Sequence, residues 1–329
     1  MRPNLFQFAT SELSQDAFLC WLLSWADENR RQYDEGLHKV AVALLTFIYG
    51  QVGTPLPTKF NNIEVRKQDG GIDILCIINN ETAIIIEDKV GTKQHSDQLA
   101  RYKDHVSKLG YPADKVIAVY LQTGDQSDYR EVEKHGYAVV ERKHLLQVLE
   151  TKEAKIACQR SDILSDFTKY LRQIEDDVQS FTSLPPSEWS WNSWKGFYTA
   201  LQGELKGGNW DYVANPSGGF LGYWWHFNGD DLCEQYLQIE QEKFCFKIWV
   251  SDPEKRGSLR DHWHKKIVKE CPTHGIRAKR PDRFGNGEYM TVAILDQEFR
   301  IVDDQGLLDI QQTIKVIKAA EMVLDSLNA

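Results

Sequence analysis

No stretch of this sequence approaches the roughly eighteen consecutive apolar residues that a membrane-spanning helix needs. Its first residues, MRPNLFQFATSELSQD, become polar too early for a secretory signal peptide. The six cysteines lie far apart and include no C-x-x-C pair, so we expect reduced, mostly buried thiols rather than a disulfide framework. These absences predict a globular protein of the cytoplasm that does not contact a membrane.

Two common catalytic motifs are also absent. There is no G-x-x-x-x-G-K-[ST] phosphate-binding loop, which argues against an ATP-driven motor, and no G-x-S-x-G, which removes the simplest hydrolase alternative. The pattern His262-x-His264 with Cys271-x-x-His274 is only loosely similar to zinc-ligand spacing, because it lacks a second C-x-x-C pair or an H-x3-H partner. We expect these histidines to belong to a basic helix rather than to a zinc site.

Negative charge predominates over the whole chain, but one segment is basic. The 329 residues include 48 Asp and Glu against 39 Lys and Arg, a net charge of -9. Between Glu254 and Arg283, ten Lys or Arg accompany four acids, a local net charge of +6. Any binding to a polyanion would therefore come from this segment. Sequence alone leaves open whether it is a solvated helix face or a surface that faces phosphates.

The pattern of apolar residues predicts a first domain that combines helices with a β-sheet. The predicted order is helix, helix, strand, strand, strand, helix, strand, strand, helix, at residues 11–29, 38–49, 61–66, 72–78, 83–87, 96–109, 116–121, 138–141 and 161–178. Such an order is typical of a mixed sheet flanked by helices, an α/β sandwich. We assign it to residues 1–182.

The segment Ser183-Leu-Pro-Pro-Ser187 is the predicted domain boundary. Beyond it the composition changes, since eight of the ten tryptophans lie between Trp189 and Trp263. Alternating strands, a basic helix at residues 255–269 and an apolar-striped helix at residues 310–327 predict a smaller α+β domain at residues 188–329. Its tryptophans could fill a core or stack on unpaired bases. We predict an accessory domain that binds nucleic acid or a partner.

Two successive isoleucine-rich strands carry acids where a buried strand usually has none. In GGIDILCIINNETAIIIEDK, the turn-forming pair Asn79-Asn80 predicts a hairpin, and in an antiparallel hairpin Asp73 can approach Glu87. Side chains alternate along a strand, so Glu87 and Lys89 share one face while Asp88 points to the other.

Two neighbouring carboxylates repel each other unless a proton or a cation lies between them. A hard divalent ion such as Mg²⁺ meets that need, because it binds through one or two carboxylates and keeps several waters. Beside such an ion, Lys89 could orient or deprotonate an attacking water, or stabilise charge on a phosphoryl group. The alternative is an ordinary ion pair at a strand end, with Asp73 as a turn residue after Gly70-Gly71.

Asp73 with Glu87-Asp88-Lys89, on two successive hydrophobic strands, resembles the metal-binding signature of the PD-(D/E)xK nuclease superfamily. The resemblance covers about residues 11–121 and implies a restriction-endonuclease-like fold, a mixed β-sheet flanked by helices. It also implies that Asp73, Glu87 and the backbone carbonyl of Asp88 hold a metal ion, and that Lys89 serves the nucleophilic water. The family's name places a proline before the first acid, whereas this chain has Gly71-Ile72 there.

Three further residues match elements of the same superfamily. Gln98 and Tyr102, in DQLARY, are similar to the Q-x-x-x-Y element of its exonuclease-like branches, which implies contacts with the nucleic-acid backbone. Glu12, on the first helix, matches an acid that some branches add as a metal ligand, and Glu64 is a weaker rival for that role. Tyr102 also fits a core stripe, and Glu12 also suits the start of a helix, where acids favour the dipole.

The resemblance predicts a metal-dependent nuclease that hydrolyses phosphodiester bonds, with Mg²⁺ or Mn²⁺ as cofactor. We expect the substrate to be DNA rather than RNA, and a role in restriction, repair or defence against foreign DNA. A homodimer is left open. One alternative is a noncatalytic nucleic-acid-binding or partner-sensing protein on the same scaffold. Another is an unrelated α/β protein in which these charges are structural.

Overall fold

The computed structural model describes residues 2–94, 97–215 and 218–328 of the chain. Contacts divide the chain into two units, Met1–Asp176 and Asp177–Ala329. This division falls a few residues before the predicted boundary, and the predicted domains at 1–182 and 188–329 stay a prediction. None of the helices in the described ranges is long and apolar enough to cross a membrane.

The first unit is built around a five-stranded mixed sheet. Its elements are α1 (Glu12–Ser24), α2 (Glu35–Val52), β1 (Ile63–Asp69), β2 (Ile72–Ile78), β3 (Thr82–Lys89), α3 (Gln98–Lys108), β4 (Val116–Gln122), α4 (Arg130–Lys134), β5 (Ala138–Glu141), α5 (Arg142–Leu149), α6 (Lys152–Cys158) and α7 (Asp162–Gln179). The strand order is β1-β2-β3-β4-β5, with β1, β2 and β3 antiparallel and β3, β4 and β5 parallel. The predicted mixed sheet flanked by helices is confirmed.

Helices cover both faces of the two central strands. Alternate residues of β2 and β3, such as Ile74 and Ile86, join the core formed with α1 and α2, and the intervening ones, such as Ile77 and Ile85, join a second core with α3. Because side chains alternate along a strand, a sheet buried on both faces requires nearly continuous apolar runs. This explains why β2 and β3 are rich in isoleucine.

The predicted hairpin turn is also confirmed. Asn79 and Asn80 both have positive φ, at 53° and 57°, a conformation that asparagine tolerates better than most residues. The Asn79 side chain also accepts hydrogen bonds from the backbone N–H groups of Asn61 and Asn62. The turn is therefore tied to the chain that leads into β1, which helps to fix the register of the sheet.

Some predicted boundaries were wrong. The first helix ends at Ser24 rather than near Asn29, and a short 3-10 turn follows it. The predicted start of α3 at Ser96 lies outside the described residues. Helices α5 and α6 were not predicted, because they span only 8 and 7 residues and show too few turns for a clear apolar period.

The second unit contains an antiparallel sheet and three longer helices. Its elements are α8 (Trp191–Glu204), β6 (Asn209–Val213), β7 (Phe220–Gly229), β8 (Cys233–Glu240), β9 (Lys243–Val250), α9 (Arg256–Glu270), β10 (Ala278–Lys279), β11 (Tyr289–Leu295) and α10 (Ile310–Asn328). The strand order is β10-β11-β9-β8-β7-β6. Four of the tryptophans, Trp194, Trp210, Trp225 and Trp263, are buried in its core. An α+β unit in which these tryptophans fill the interior is thus confirmed.

A close backbone approach joins the ends of β3 and β4. The Thr123 N–H donates to the carbonyl of Lys89, and the next residue, Gly124, lies against the carbonyl of Val90. A Cβ atom on Gly124 would stand 1.4 Å from the Val90 oxygen, which no side chain can occupy. Only glycine fits at position 124, because there is no room for a side chain. The close contact between Gly124 and Val90 holds the end of β3 in place.

We expect Gly124→Ala to destabilise the protein by roughly 1–3 kcal/mol, because the added methyl group would push the Val90 carbonyl out of position. The measurement is urea denaturation followed by circular dichroism. Gly50→Ala is the matched control, since Gly50 lies in α2 with nothing within 4 Å of an added Cβ. Replacing an exposed helical glycine should instead stabilise by up to about 1 kcal/mol. If Gly124→Ala unfolded at the same midpoint urea concentration as the wild type, this explanation would be wrong.

Candidate active site

Asp73 reaches the end of β3 because β2 and β3 pair with Ile74 opposite Ile86. In this register the Asp73 carboxylate accepts a hydrogen bond from the Asp88 N–H, which is 2.9 Å from its Oδ2. The Lys89 ammonium lies 3.7 Å from the same oxygen. The hairpin therefore brings Asp73 beside the Glu87-Asp88-Lys89 segment.

Three oxygens converge on the Lys89 ammonium. Its Nζ lies 2.5 Å from Glu87 Oε1 and 3.7 Å from Asp73 Oδ2, and it donates to the backbone carbonyl of Asp88 at 3.1 Å. Burial lowers the pKa of Lys89, but the carboxylates of Glu87 and Asp73 outweigh it and leave the pKa above its ordinary value. These are the same three oxygens that the family resemblance assigns to a metal ion, and here they surround one positive charge.

Glu87 is fully buried, and its Oε1 contacts the Lys89 ammonium at 2.5 Å. Its Oε2 has no hydrogen-bond partner among the described residues. Burial raises the pKa of Glu87 to about 7, Lys89 lowers it, and the charge of Asp73 raises it again. A carboxylate with this little compensation is stabilised by any cation that approaches it.

The donor set fits a hard divalent ion with few protein ligands. Within the described ranges, no three His, Cys, Asp or Glu side chains form a group that could hold a metal ion. Two carboxylates and one backbone carbonyl match the donors that Mg²⁺ takes from proteins, since it keeps several waters and takes substrate phosphates. The observation behind this fit is the buried Glu87 Oε2, which has no partner among the described residues and belongs to a carboxylate beside Asp73.

Gln68 fixes the orientation of Asp73, and it was not among the predicted site residues. Its amide Nε2 donates to Asp73 Oδ1 at 3.0 Å. Gln68 has φ of 58° and stands opposite Asp73, because the register of β1 and β2 is the same on both sides of it, with Lys67 paired to Ile74 and Asp69 to Ile72. Side chains directly opposite each other in an antiparallel pair lie close together, so Gln68 can reach Asp73. A glutamine with positive φ has no local sequence signal, because glycine or asparagine is the usual choice.

The predicted substrate-binding pair lies at the start of α3. Gln98 donates from its amide to the Tyr102 hydroxyl. Tyr102 is buried in the core with Leu99 and Val106, and Gly71 lies beside its ring. Burial raises the pKa of Tyr102, and the charges of Glu87 and Asp73 raise it further. Both functions considered for Tyr102 are therefore compatible, since it packs in the core and borders the carboxylates.

Glu12 lies near the site, whereas Glu64 does not. The Glu12 Oε1 accepts hydrogen bonds from the Val90 N–H at 3.2 Å and from the Thr92 hydroxyl at 2.6 Å. Glu64 pairs with Arg66 and stands opposite Ile77, towards the other end of β1. The suggestion that Glu64 rivals Glu12 is wrong, because the register of β1 carries it away from Asp73.

A second acidic pair lies on the other face of β3. The Asp88 side chain points away from Glu87, as alternation predicts, and its Oδ1 accepts a hydrogen bond from Gln15 at 2.6 Å. Burial raises the pKa of Asp88 well above its usual range. Asp16 on α1 is buried beside it, and burial, followed by the charge of Asp73, raises the pKa of Asp16 to about 6. The Asp88 side chain is thus one half of a separate buried pair.

Asp16 was not among the predicted site residues, although the sequence contains a signal for it. It lies three and seven residues before Leu19 and Leu23, on the face of α1 that is buried. An acid in that stripe predicts a buried polar contact. The nearest cation, Lys67 Nζ, is 3.9 Å from Asp16 Oδ2 and donates a hydrogen bond to the Leu13 carbonyl.

We expect Asp16→Asn to remove part of the pH dependence of stability. The folded pKa of Asp16, about 6, lies above its unfolded value, so the stability that comes from its protonated form is complete below about pH 4. That stability is lost as the pH rises through about 6, by at most about 3 kcal/mol. Urea denaturation at pH 4.5 and pH 8 should therefore show a smaller loss of stability for Asp16→Asn than for the wild type.

Asp114→Asn, which changes an exposed acid before β4, is the control for this measurement. It should lose as much stability between the two pH values as the wild type. Equal pH dependence of Asp16→Asn and the wild type would show that Asp16 does not hold a proton in the folded protein.

The family comparison covers all of these residues. Residues 3–177, more than half of the chain, match the family model of the PD-(D/E)XK nuclease superfamily. No curated protein matches the chain significantly. No solved structure matches it significantly either. The chain therefore belongs to the PD-(D/E)XK nuclease superfamily.

Proposed function

We propose that this protein is a nuclease that hydrolyses phosphodiester bonds in DNA with the help of a divalent metal ion. Membership of a nuclease superfamily supports hydrolysis of nucleic acid. The observation that carries the proposal is the convergence of Glu87, Asp73 and the Asp88 carbonyl on one positive charge at the end of β3.

In this proposal Asp73, Glu87 and the Asp88 carbonyl hold Mg²⁺ or Mn²⁺. The bound ion would lower the pKa of a water and neutralise charge on the phosphate. Asp73 is suited to a fixed position, since Gln68 and the Asp88 N–H each bind one of its oxygens. Glu87 is suited to a cation for a different reason, because its carboxylate is buried and its Oε2 has no hydrogen-bond partner within the described part of the chain.

Lys89 serves the attacking water in this mechanism. Its ammonium lies between the two carboxylates; if these bound the ion, the ammonium would be released to donate to a water and to stabilise the negative charge that develops on the phosphoryl oxygens. The water oxygen forms a bond to phosphorus while the bond to the leaving sugar oxygen breaks. The water's proton passes to solvent, and solvent returns one to the leaving oxygen.

Gln98, Tyr102 and Glu12 have supporting roles in the proposal. Gln98 and Tyr102 share a hydrogen bond at the edge of the site, where an amide and a phenol can contact phosphate or sugar oxygens. Glu12 would contribute through Oε2, since Oε1 already accepts two hydrogen bonds. The preference for DNA over RNA rests on the resemblance. A role in restriction, repair or defence, a cytoplasmic location and a homodimer stay predictions on the same basis.

The first test is a cleavage assay with linear, circular and single-stranded DNA and with RNA. We expect the wild type to cleave DNA with Mg²⁺ or Mn²⁺ and to lose activity in EDTA. Asp73→Asn and Lys89→Ala should each lower the rate by at least about a hundredfold, because each removes a group that acts directly on the reacting atoms. Both variants should still bind DNA.

Matched controls lie at the opposite end of the sheet. Asp114→Asn and Lys115→Ala change the same residue types just before β4, whose start pairs with the start of β3. They should cleave like the wild type. If the wild type binds DNA but neither metal produces cleavage above that of Asp73→Asn, the noncatalytic nucleic-acid-binding alternative is correct instead.

A second test concerns Gln68 as a positioning residue. Gln68→Asn keeps an amide and tolerates positive φ, but it is one methylene too short to hold Asp73. We expect a melting temperature close to that of the wild type, a roughly tenfold slower cleavage, and a higher Mg²⁺ concentration for half-maximal rate. An unchanged Mg²⁺ requirement would show that Gln68 does not position Asp73 for the metal.

A further inference from the structure

The basic segment of the second unit forms one surface made of a helix and the chain that returns along it. Helix α9 packs against β10 and β11, and a short 3-10 turn connects its end to the returning segment. We define the basic surface as α9 together with residues 277–283. Six of its cations are exposed and have no carboxylate partner among the described residues: Lys265, Lys266, Lys269, Arg277, Arg280 and Arg283.

Phe284 links the two parts of the basic surface, α9 and residues 277–283. The guanidinium groups of Arg260 and Arg280 lie over the Phe284 ring, at 4.3 and 4.4 Å from its centre. Arg260 also donates to the backbone carbonyls of Phe284 and Gly285, at 3.1 and 2.9 Å. His264 contacts the same ring and bonds to the Val292 carbonyl. The returning chain is therefore fixed against the helix, and its charges are preorganised.

Several acids near the basic surface are engaged in local contacts and leave its exposed cations uncompensated. Asp261 pairs with Arg260, Asp296 pairs with Lys279 at 2.8 Å, and Glu270 accepts from Thr273 and faces His274. Charges at exposed positions are normally balanced by neighbours of opposite sign or by solvent. Here a local charge of +6 stands in a chain whose net charge is -9.

We propose that the basic surface binds the phosphate backbone of nucleic acid without reading its sequence. This inference rests on the proposed nuclease function, because it assigns the substrate polymer a second contact, on the second unit. Charge complementarity to phosphates supports it. Stacking on bases is not available at this surface, since Arg260 and Arg280 lie over the Phe284 ring and Trp263 is buried under Lys266.

The test is binding of a fluorescent DNA duplex, measured by anisotropy in EDTA so that no cleavage occurs, between 50 and 200 mM salt. For Lys265→Glu/Lys269→Glu we expect at least tenfold weaker binding than for the wild type at 50 mM salt. The slope of log affinity against log salt should fall by about two, one for each lost phosphate contact. Lys315→Glu/Lys318→Glu is the control, with the same change in charge at two exposed positions of α10.

The control should bind like the wild type. Lys265→Gln/Lys269→Gln guards against misfolding, since it removes the charges without adding repulsion and should lower the salt slope to the same extent. Wild-type affinity in either Lys265/Lys269 variant, equal loss in the α10 control, or no DNA binding by the wild type would overturn the proposal. Displacement of the DNA by poly-glutamate at equal charge concentration would assign the surface to acidic proteins instead.

The outcome separates this inference from the proposed function. Salt-dependent binding that is lost in Lys265→Glu/Lys269→Glu supports the basic surface even if no DNA or RNA is cleaved. Normal binding by that variant, together with cleavage by the wild type, refutes the basic surface and leaves the active site as proposed. At saturating DNA the variant should cleave at the wild-type rate, because none of its substitutions touches Asp73, Glu87 or Lys89.

Discussion

The hydrogen bond from the Asp88 N–H to Asp73 is the contact on which the site depends. It forms because β2 and β3 pair with Ile74 opposite Ile86, so the start of one strand meets the end of the next. The apolar cores on both faces of the hairpin fix this register, since a slip of one residue would send every side chain to the opposite face. The geometry of the charged residues is thus set by uncharged ones.

At the end of β3, acidic side chains are buried on both faces of the sheet. The repulsion between neighbouring carboxylates is reduced in a different way on each face. On one face Glu87 and Asp73 share the Lys89 ammonium, and the Asp73 side chain keeps some contact with solvent. On the other face Asp88 and Asp16 are closed off, and burial raises the pKa of both, which favours a shared proton. In the proposed function the first pair would hold a metal ion, whereas burial of the second pair favours a proton between its members.

The hairpin could be predicted from patterns of adjacent residues. Contacts between residues far apart in the sequence could not be predicted. The runs at 72–78 and 83–87 and the Asn79-Asn80 turn carry their signals in adjacent residues, and strand alternation placed Glu87 and Lys89 on one face. The contact of Asp88 with Asp16 and Gln15 depends on how α1 packs across the sheet, which no short window of sequence records. Gln68 was not predicted for a different reason, because its positive φ is a backbone conformation that glutamine rarely adopts.

The second unit lies beyond the range that the family model matches, so its function has to be argued from its own surface. Burial of Trp194 and Trp225 assigns those side chains to the core, and the basic surface is one feature that remains outside it. Lys265 and Lys269 lie one helical turn apart, where like charges destabilise a helix by a few tenths of a kcal/mol. No carboxylate among the described residues offsets that cost. A bound polyanion would offset it, which agrees with the proposed binding of nucleic acid to the basic surface.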